Sequence, residues 1–331
     1  MKKRGKGMSC VLHSTGNKGA GDPSQAAVQL KPDGTFTLII GTVDIGQGST
    51  TIMRQFAADA LDVPIENIAV NNSAGNMAPV SMGSFASRVT LIDPHAVVNA
   101  AEDLKEQVCK WAASQFDVKP EDMVFADNKV SVKGDDSKSM PMQEVGDGVL
   151  NSAEFLIGTG AWYPAPFTEH DPETGEMAAV GAVSFGSCYV EIEVDTGTGE
   201  IDILQLDQAW EVGKAVNPLM CMQQIGGGLT IGLGYGLSED CRPSPNMEYV
   251  PDRLGDYFIP TFADYPKENG RALVEVPHPM GVKGAKGFSE GSSTAPIPAI
   301  VDALHDALGI WIMEIPITPE VVLRAIEGAE G

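Results

Sequence analysis

The 331-residue chain is poor in positive charge, in paired cysteines or histidines, and in long apolar runs, and each shortage removes a class of function. Its 22 Lys and Arg residues stand against 45 Asp and Glu residues, a formal net charge of -23, so no basic stripe exists to release counterions from a nucleic acid backbone. Nucleic acid is therefore not expected as a partner. The five cysteines (Cys10, Cys109, Cys188, Cys221, Cys241) are widely and irregularly spaced with no CxxC pair, which supplies neither a disulfide framework nor a zinc or iron–sulfur site. They are expected as reduced, mostly buried thiols. The histidines (His13, His95, His170, His278, His305) form no HxH or HxxxH pair, so no metal ligated by protein side chains is expected. No cysteine adjacent to a histidine points to nucleophilic catalysis. The basic start MKKRGKGMSC is not followed by an apolar stretch of signal-peptide length, and no run of about 18 apolar residues occurs. The expectation is a cytoplasmic protein with no membrane span.

What is present reads as a folded α+β protein. An apolar share of 43% with 20% charged residues suits a soluble chain with one large core or two modest ones. From Ala26 the pattern alternates, and Pro32-Asp33-Gly34 between two apolar runs predicts a hairpin. GQGST then precedes TIMRQFAADAL, whose Ile52, Met53, Phe56, Ala57 and Leu61 fall at helical spacing, with Ser49, Thr50 or Thr51 as cap. A short strand at 68–70, a loop through Ser87, a helix over 94–113 and a hairpin over 124–132 turning at Asp127-Asn128 follow; 134–148 reads as polar and broken. CYVEIEVDTGTGEIDILQLDQAW repeats the order strand, glycine turn, strand, and the glycine-rich QQIGGGLTIGLGYGLSED after it has helical character. A second echo links 62–70, 117–125 and 308–320, each a short strand after an amphipathic helix. These repetitions predict an α+β architecture with two similar lobes, 1–148 and 149–331.

Three motifs bear on chemistry. In GVKGAKGFSEGSSTAP (281–296), Glu290 is one carboxylate isolated among Gly281, Gly284, Gly287 and Gly291, where backbone freedom lets a bulky group approach the main chain; the alternative is a surface loop with one solvated glutamate. Gly46-Gln47-Gly48-Ser49-Thr50 places backbone N–H groups at a helix N-terminus, as a phosphate or other anion requires, although Ser49 stands where a nucleotide P-loop has lysine. The alternative is a plain strand-to-helix turn. Ser84-Phe85-Ala86-Ser87-Arg88 offers small hydroxyls and a guanidinium suited to an anion, or, for Arg88, an ordinary surface ion pair. Gly226-Gly227-Gly228 lacks the parallel βαβ frame of a dinucleotide fold, which excludes a Rossmann reading.

Taken together, GTVDIGQGST, VSMGSFASR, VEVDTGTGEIDIL, QQIGGG with GLGYGLSED, and GAKGFSEGSSTAPIPAI resemble the molybdopterin-binding subunit of the xanthine dehydrogenase family of molybdenum hydroxylases. The resemblance covers nearly the whole chain but only the C-terminal half of that family's large subunit, and the split arrangement looks most like the medium molybdopterin subunit of nicotinate dehydrogenase. It implies mixed sheets and packed helices within the two lobes, and hydroxylation of an electron-poor carbon of an N-heteroaromatic substrate, of nicotinate or purine type, with water as oxygen source and Glu290 as base. An aldehyde-oxidising enzyme and a non-catalytic cofactor- or phosphate-binding subunit are the alternatives. It also implies cofactor contacts from Gly46, Gln47, Gly48, Ser84, Phe85, Ala86, Ser87, Arg88, Gln224, Lys286 and Gly287. The metal would be held by the pterin dithiolene, in molybdopterin of the cytosine dinucleotide form. A larger molybdopterin subunit, an iron–sulfur subunit with 2Fe–2S clusters and an FAD subunit are the implied partners. The chain departs from the family pattern at Gly226, at Ser289 before the glutamate, and at Trp210-Glu211, where a His-Asp pair is common.

Overall fold

The computed structural model describes residues 1–16, 21–73, 75–164, 171–175, 181–244, 246–248, 251 and 253–330. In chain order its elements begin with β1 (Lys2–Thr15), β2 (Ser24–Leu30), β3 (Phe36–Ile40), α1 (Ser49–Leu61), β4 (Ile68–Asn71), α2 (Val89–Phe116), β5 (Met123–Ala126), β6 (Lys129–Val132), β7 (Asp135–Pro141) and α3 (Met142–Asn151). They continue with β8 (Ile157–Trp162), β9 (Ala182–Asp195), β10 (Ile201–Glu211), α4 (Pro218–Leu237), β11 (Arg271–Val274), α5 (Gly291–Thr294), α6 (Pro296–Leu308) and α7 (Pro319–Glu330). Two compact units result: unit 1 comprises Met1–Ser14, Val183–Pro277 and Phe288–Gly331, and unit 2 comprises Thr15–Ala182 and His278–Gly287. This differs from a division between 148 and 149. β1 lies beside β9 in the same sheet, and that pairing draws the first residues of the chain into the unit built mostly from its second half.

Unit 2 is organised on the sheet β4-β3-β2-β8. β2 and β3 pair antiparallel from Ala26↔Ile40 to Leu30↔Phe36, as the alternating pattern predicts, and Val28, Phe36 and Leu38 are fully buried. The inward residues of α1 (Ile52, Met53, Phe56, Ala57, Leu61) and of α2 (Ala96, Val97, Ala100, Leu104, Val108) complete this core. α2 starts five residues earlier than Pro94, which lies inside it; the Arg88 carbonyl accepts from the N–H of both Leu91 and Ile92 and so begins the helix before the proline. Gly158 and Gly160 of β8 allow this helix to lie directly on the strand, because a Cβ at either would overlap helix carbonyls at Ala100 or Ala96. β5 and β6 form the expected hairpin, with Asp127 and Asn128 both left-handed at φ 50° and 57°, the requirement of a type I′ turn. The stretch expected to be broken instead forms β7 and α3. Met142, Val145 and Val149 of α3 are buried at helical spacing, and the intervening Gly146 and Gly148 obscure that pattern in the sequence.

Unit 1 carries the sheet β1-β9-β10-β11. β9 and β10 form an antiparallel hairpin, and β11 adds in parallel to β10, so strand, turn, strand, helix recurs as β9-β10-α4. Val190, Ile192, Val194, Leu206 and Trp210 from the sheet pack with Ile225, Leu229 and Leu233 of α4, with Ala299, Ile300, Ala303 and Leu304 of α6, and with Val321 and Val322 of α7. The strand expected after α6 is absent: the segment between α6 and α7 is irregular, tied to the core by Ile312 and Ile317. Among the described residues no helix is long and apolar enough to cross a membrane. All five cysteines are free thiols, but only Cys188 is buried; Cys10 and Cys241 are exposed and Cys109 and Cys221 half-buried. Burial pushes the Cys188 thiol up to about 12. Of the histidines, His170 lies outside the described residues.

Candidate active site

The glutamate singled out by sequence sits in unit 1 at a tight turn. Phe288 is buried, Ser289 and Glu290 are half-buried, and α5 begins at the next residue. The Ser289 hydroxyl lies 2.9 Å from Glu290 Oε2 and donates to it. The Glu290 carbonyl accepts from the Ser293 amide at 3.2 Å and from the Ser293 hydroxyl at 2.8 Å. A loop with a freely solvated glutamate is thus excluded by geometry. Ser289, a departure from the family pattern, contributes a direct bond to the carboxylate.

α4 supports this turn from one side. Ser292 Oγ lies 2.7 Å from the Ser289 carbonyl and 3.3 Å from the carbonyl of Gln224. A Cβ on Gly228 would overlap that hydroxyl and approach Ser292 Cβ to 2.7 Å; on Gly232, one turn later, it would come within 2.6 Å of the Ser293 carbonyl oxygen. The glycines after Gln224 therefore let two helices touch, and this close approach is what the glycine-rich segment serves. From the other side Trp210 of β10 is fully buried, and its ring edge lies 2.5 Å from where a Cβ on Gly291 would stand.

The remaining sequence-chosen residues belong to unit 2. Gly48 is left-handed and caps α1 without any side-chain bond from Ser49, Thr50 or Thr51. Asp44 takes that role. Its Oδ1 accepts from the N–H of Gly46 at 2.9 Å and Gly48 at 3.2 Å, and its Oδ2 from that of Thr50 at 3.0 Å. Burial alone would raise the Asp44 pKa, but the bonds from Thr50, Gly46 and Gly48 outweigh it and hold the carboxyl below its usual value. The anion expected at the GQGST helix terminus is thus supplied in part by the chain itself, and those three amides are already engaged. Gln47 folds inward too: its Oε1 accepts from Ile45 N–H at 2.7 Å and its Nε2 donates to the Val43 carbonyl at 3.2 Å. A contact of 3.4 Å joins Gln47 Nε2 to Ser84 Oγ, which itself donates to the Val43 carbonyl at 2.5 Å. The two motif loops are therefore neighbours.

Arg88 is neither an accessible anion donor nor a surface ion-pair residue. It is fully buried, with Nε 2.6 Å from Asp22 Oδ1 and Nη2 2.8 Å from Asp93 Oδ1. Its Nη1 donates to the Gly83 carbonyl at 3.0 Å. The guanidinium closes the 81–88 loop on itself, with Ala86 and Ser87 both left-handed at φ 48° and 50°. Lys286 is buried. The Gly287 carbonyl accepts from Thr15 Oγ1 at 3.1 Å, and a Cβ on Gly287 would overlap the Ser87 carbonyl. The 286–287 segment thus lies flush against the 84–88 loop, a proximity with no local sequence signal. Asp44 was detectable, as an acid two residues ahead of a G-x-G turn; Asp22, 66 residues from Arg88, was not.

The 45–48 and 82–86 loops of unit 2 thus present backbone, one amide side chain, one hydroxyl and apolar groups. A Cβ on Gly46 would meet nothing within 4 Å, and Ile45, Met82 and Phe85 are exposed. An open, largely uncharged surface of this kind fits the flat ring system of a pterin better than its phosphates. In unit 1, His13 Nδ1 is buried without a hydrogen-bond partner. Among the described residues no group of three or more His, Cys, Asp or Glu could hold a metal ion.

Comparison with known proteins identifies the family. The family model for the molybdopterin cofactor-binding domain matches residues 1–266. The chain is 29% identical over 327 residues to the probable hypoxanthine oxidase XdhD of Escherichia coli K12, covering 98% of this chain and 32% of that protein. It is 26% identical to the 6-hydroxypseudooxynicotine dehydrogenase complex subunit gamma of Paenarthrobacter nicotinovorans, over 99% of this chain and 40% of the relative. Among solved structures, quinoline 2-oxidoreductase from Pseudomonas putida 86 superposes with a TM-score of 0.81 at 26% identity, over 98% of this chain and 42% of that one. The chain spans roughly a third to two fifths of the length of these relatives. The α+β fold is that of the molybdenum hydroxylase large subunits. The chain belongs to the molybdopterin cofactor-binding domain family of xanthine dehydrogenase-type molybdenum oxidoreductases.

Proposed function

We propose that this chain is one part of a heteromeric molybdenum hydroxylase, with Glu290 as the general base in hydroxylation of an N-heteroaromatic carbon. The observation that carries this reading is the held carboxylate: Glu290 is half-buried, fixed by its backbone to α5 and bonded through Oε2 to Ser289. When bound, the molybdenum cofactor supplies two-electron oxidation and activates water. The chain's own part is to receive at Glu290 the proton released as a C–H becomes C–OH, the second proton and both electrons leaving through the cofactor. A carboxylate held in one place by its neighbours suits that task, because a general base must stand within reach of the proton it takes.

Gly46, Gln47, Gly48, Ser84, Phe85, Ala86, Ser87, Gln224, Lys286 and Gly287 are proposed cofactor contacts on motif position. Arg88 acts at one remove by shaping its loop. The cytosine dinucleotide form is proposed for the pterin. A larger molybdopterin subunit that completes the pocket is proposed from the motif resemblance, and the 2Fe–2S clusters and FAD are proposed for further subunits. Leu254, Phe258, Ile259 and Phe262, exposed by 79, 67, 53 and 95%, give unit 1 an apolar surface of the kind that partner chains cover. Substrates of nicotinate or purine type are favoured by the relatives' names, hypoxanthine oxidase, 6-hydroxypseudooxynicotine dehydrogenase and quinoline 2-oxidoreductase among them; aldehyde oxidoreductases in the same group make aldehydes the second class. The test is to isolate the native complex through this chain, measure molybdenum and iron, and compare it with Glu290→Gln. Molybdenum retained with turnover of nicotinate, hypoxanthine or quinoline lost is the expected result. Wild-type turnover in the variant would refute the base, and a complex free of molybdenum would refute the assignment.

A further inference from the structure

A glutamine on the core-facing side of a strand needs a reason, and Gln208 has one. On β10 the inward residues are Leu206, Gln208 and Trp210, all buried. An indole N–H can only donate, so the Trp210 Nε1 contact at 2.7 Å fixes Gln208 Oε1 as the acceptor. The other end of the amide is then necessarily the donor, and it reaches the Ser292 carbonyl at 3.1 Å. Ser292 lies two residues beyond Glu290. The Trp210 ring is itself wedged between two glycines, since a Cβ on Gly186 or on Gly291 would come within 2.5 Å of it, and it stacks on Phe288 with ring centroids 6.0 Å apart. Sheet, indole and amide thus grip the segment on both sides of the glutamate, at Phe288 and at Gly291–Ser292.

We propose that Gln208 and Trp210 are positioning residues that set the direction of the Glu290 carboxylate. The proposal rests on the reading of Glu290 as base. With Ser292 tied to the sheet and Gly291 against the indole, the Glu290 backbone is held between fixed points, and the Ser289 hydroxyl holds the carboxylate itself. Preorganisation of this kind appears in the turnover step, not in binding: a displacement of about 1 Å can cost a rate factor on the order of a hundred.

The experiment uses the assembled enzyme carrying Gln208→Leu, Trp210→Phe, Glu290→Gln, or Gln208→Leu combined with Glu290→Gln. Gln208→Leu is expected to lower kcat about tenfold to a hundredfold on nicotinate or hypoxanthine with KM and molybdenum content unchanged. In the Glu290→Gln background it should cost nothing further, a non-additivity that a general loss of structure would not produce. Trp210→Phe removes the N–H that holds Gln208 together with the ring edge that abuts Gly291, so it carries the test if Gln208→Leu folds poorly. Amide hydrogen exchange on the folded chain gives a readout independent of turnover: Gln208→Leu should speed exchange at Gly291–Ser293 and leave α6 unchanged. Wild-type kcat and exchange in both Gln208→Leu and Trp210→Phe, or equal losses with and without Glu290, would overturn the proposal. An inactive Glu290→Gln beside a fully active Gln208→Leu removes the positioning role alone. An active Glu290→Gln removes the base reading, and the positioning role with it.

Discussion

Replacing Arg88 by methionine separates a structural arginine from a ligand-binding one. The side chain is fully buried and bonded to Asp22, Asp93 and the Gly83 carbonyl, with Asp22 at 0% and Asp93 at 1% exposure. Methionine fills much of the volume but leaves two carboxylates buried with no cation between them. Removing one partner of a buried ion pair costs about 3–5 kcal/mol, because the remaining charge is uncompensated. For a unit of this size each kcal/mol lowers Tm by about 2–4 °C, so Arg88→Met should lower the melting temperature of unit 2 by roughly 6–20 °C. Thermal unfolding of the isolated chain followed by circular dichroism, with no ligand present, is the assay. A variant that melts within a degree of wild type in that ligand-free assay would refute the internal strut. An Arg88 serving mainly to grip an anion predicts that result, with the loss confined to cofactor binding.

The contact between α4 and α5 makes a paired prediction. Gly228→Ala places a methyl group into Ser292 and should cost about 1–3 kcal/mol by overpacking, while Gly227→Ala, where a Cβ meets nothing within 4 Å, should gain up to about 1 kcal/mol from helix propensity; chemical denaturation of the two variants checks the opposite signs. His95 predicts a pH dependence. Its ring stacks on Trp162 at 4.0 Å and its Nε2 faces the Met280 carbonyl at 2.8 Å; burial lowers its pKa and that hydrogen bond only partly offsets the effect. With the folded pKa below the unfolded value of about 6.5, the unfolded chain binds the proton first, so this contribution is present above pH of about 6.5 and is lost as pH falls through the folded pKa. The stability of His95→Phe should vary less than wild type over that interval; an identical pH profile would refute the assignment.

Where a signal is local, the sequence makes the structure readable. The alternation in β2 and β3, the Asp127-Asn128 turn and the helix after GQGST are each set by residues within a few positions of one another, and all three are present. α3 escapes because Gly146 and Gly148 interrupt its apolar face, although Gly146 is there to abut the Lys31 and Pro32 carbonyls. The strand expected after α6 fails for the opposite reason: LGIWIMEIPITPE is apolar enough for a strand, yet Trp311 and Met313 stay exposed at 58 and 85% while Ile312 and Ile317 anchor the segment. Glu290 stands out in the sequence by its glycine-rich setting. Gln208 and Trp210, some 80 residues earlier, could not be connected to it, because nothing in a β-strand's own pattern says which backbone its inward amide will meet.

The anion-binding motifs carry a more general consequence. A glycine turn at a helix N-terminus and an arginine beside small hydroxyls each report that donors converge, but not what accepts from them. In both loops of unit 2 the chain supplies an acceptor of its own, Asp44 for the amides of Gly46, Gly48 and Thr50, and Asp22 with Asp93 for Arg88. Each internal carboxylate removes from the local field a charge that a phosphate would otherwise meet. What these loops retain for a ligand is shape: the open approach at Gly46, the face of Phe85 and the loop geometry that Arg88 enforces. An anion at these loops would therefore have to draw on donors elsewhere, because the chain's own acids already engage the local amides and the guanidinium.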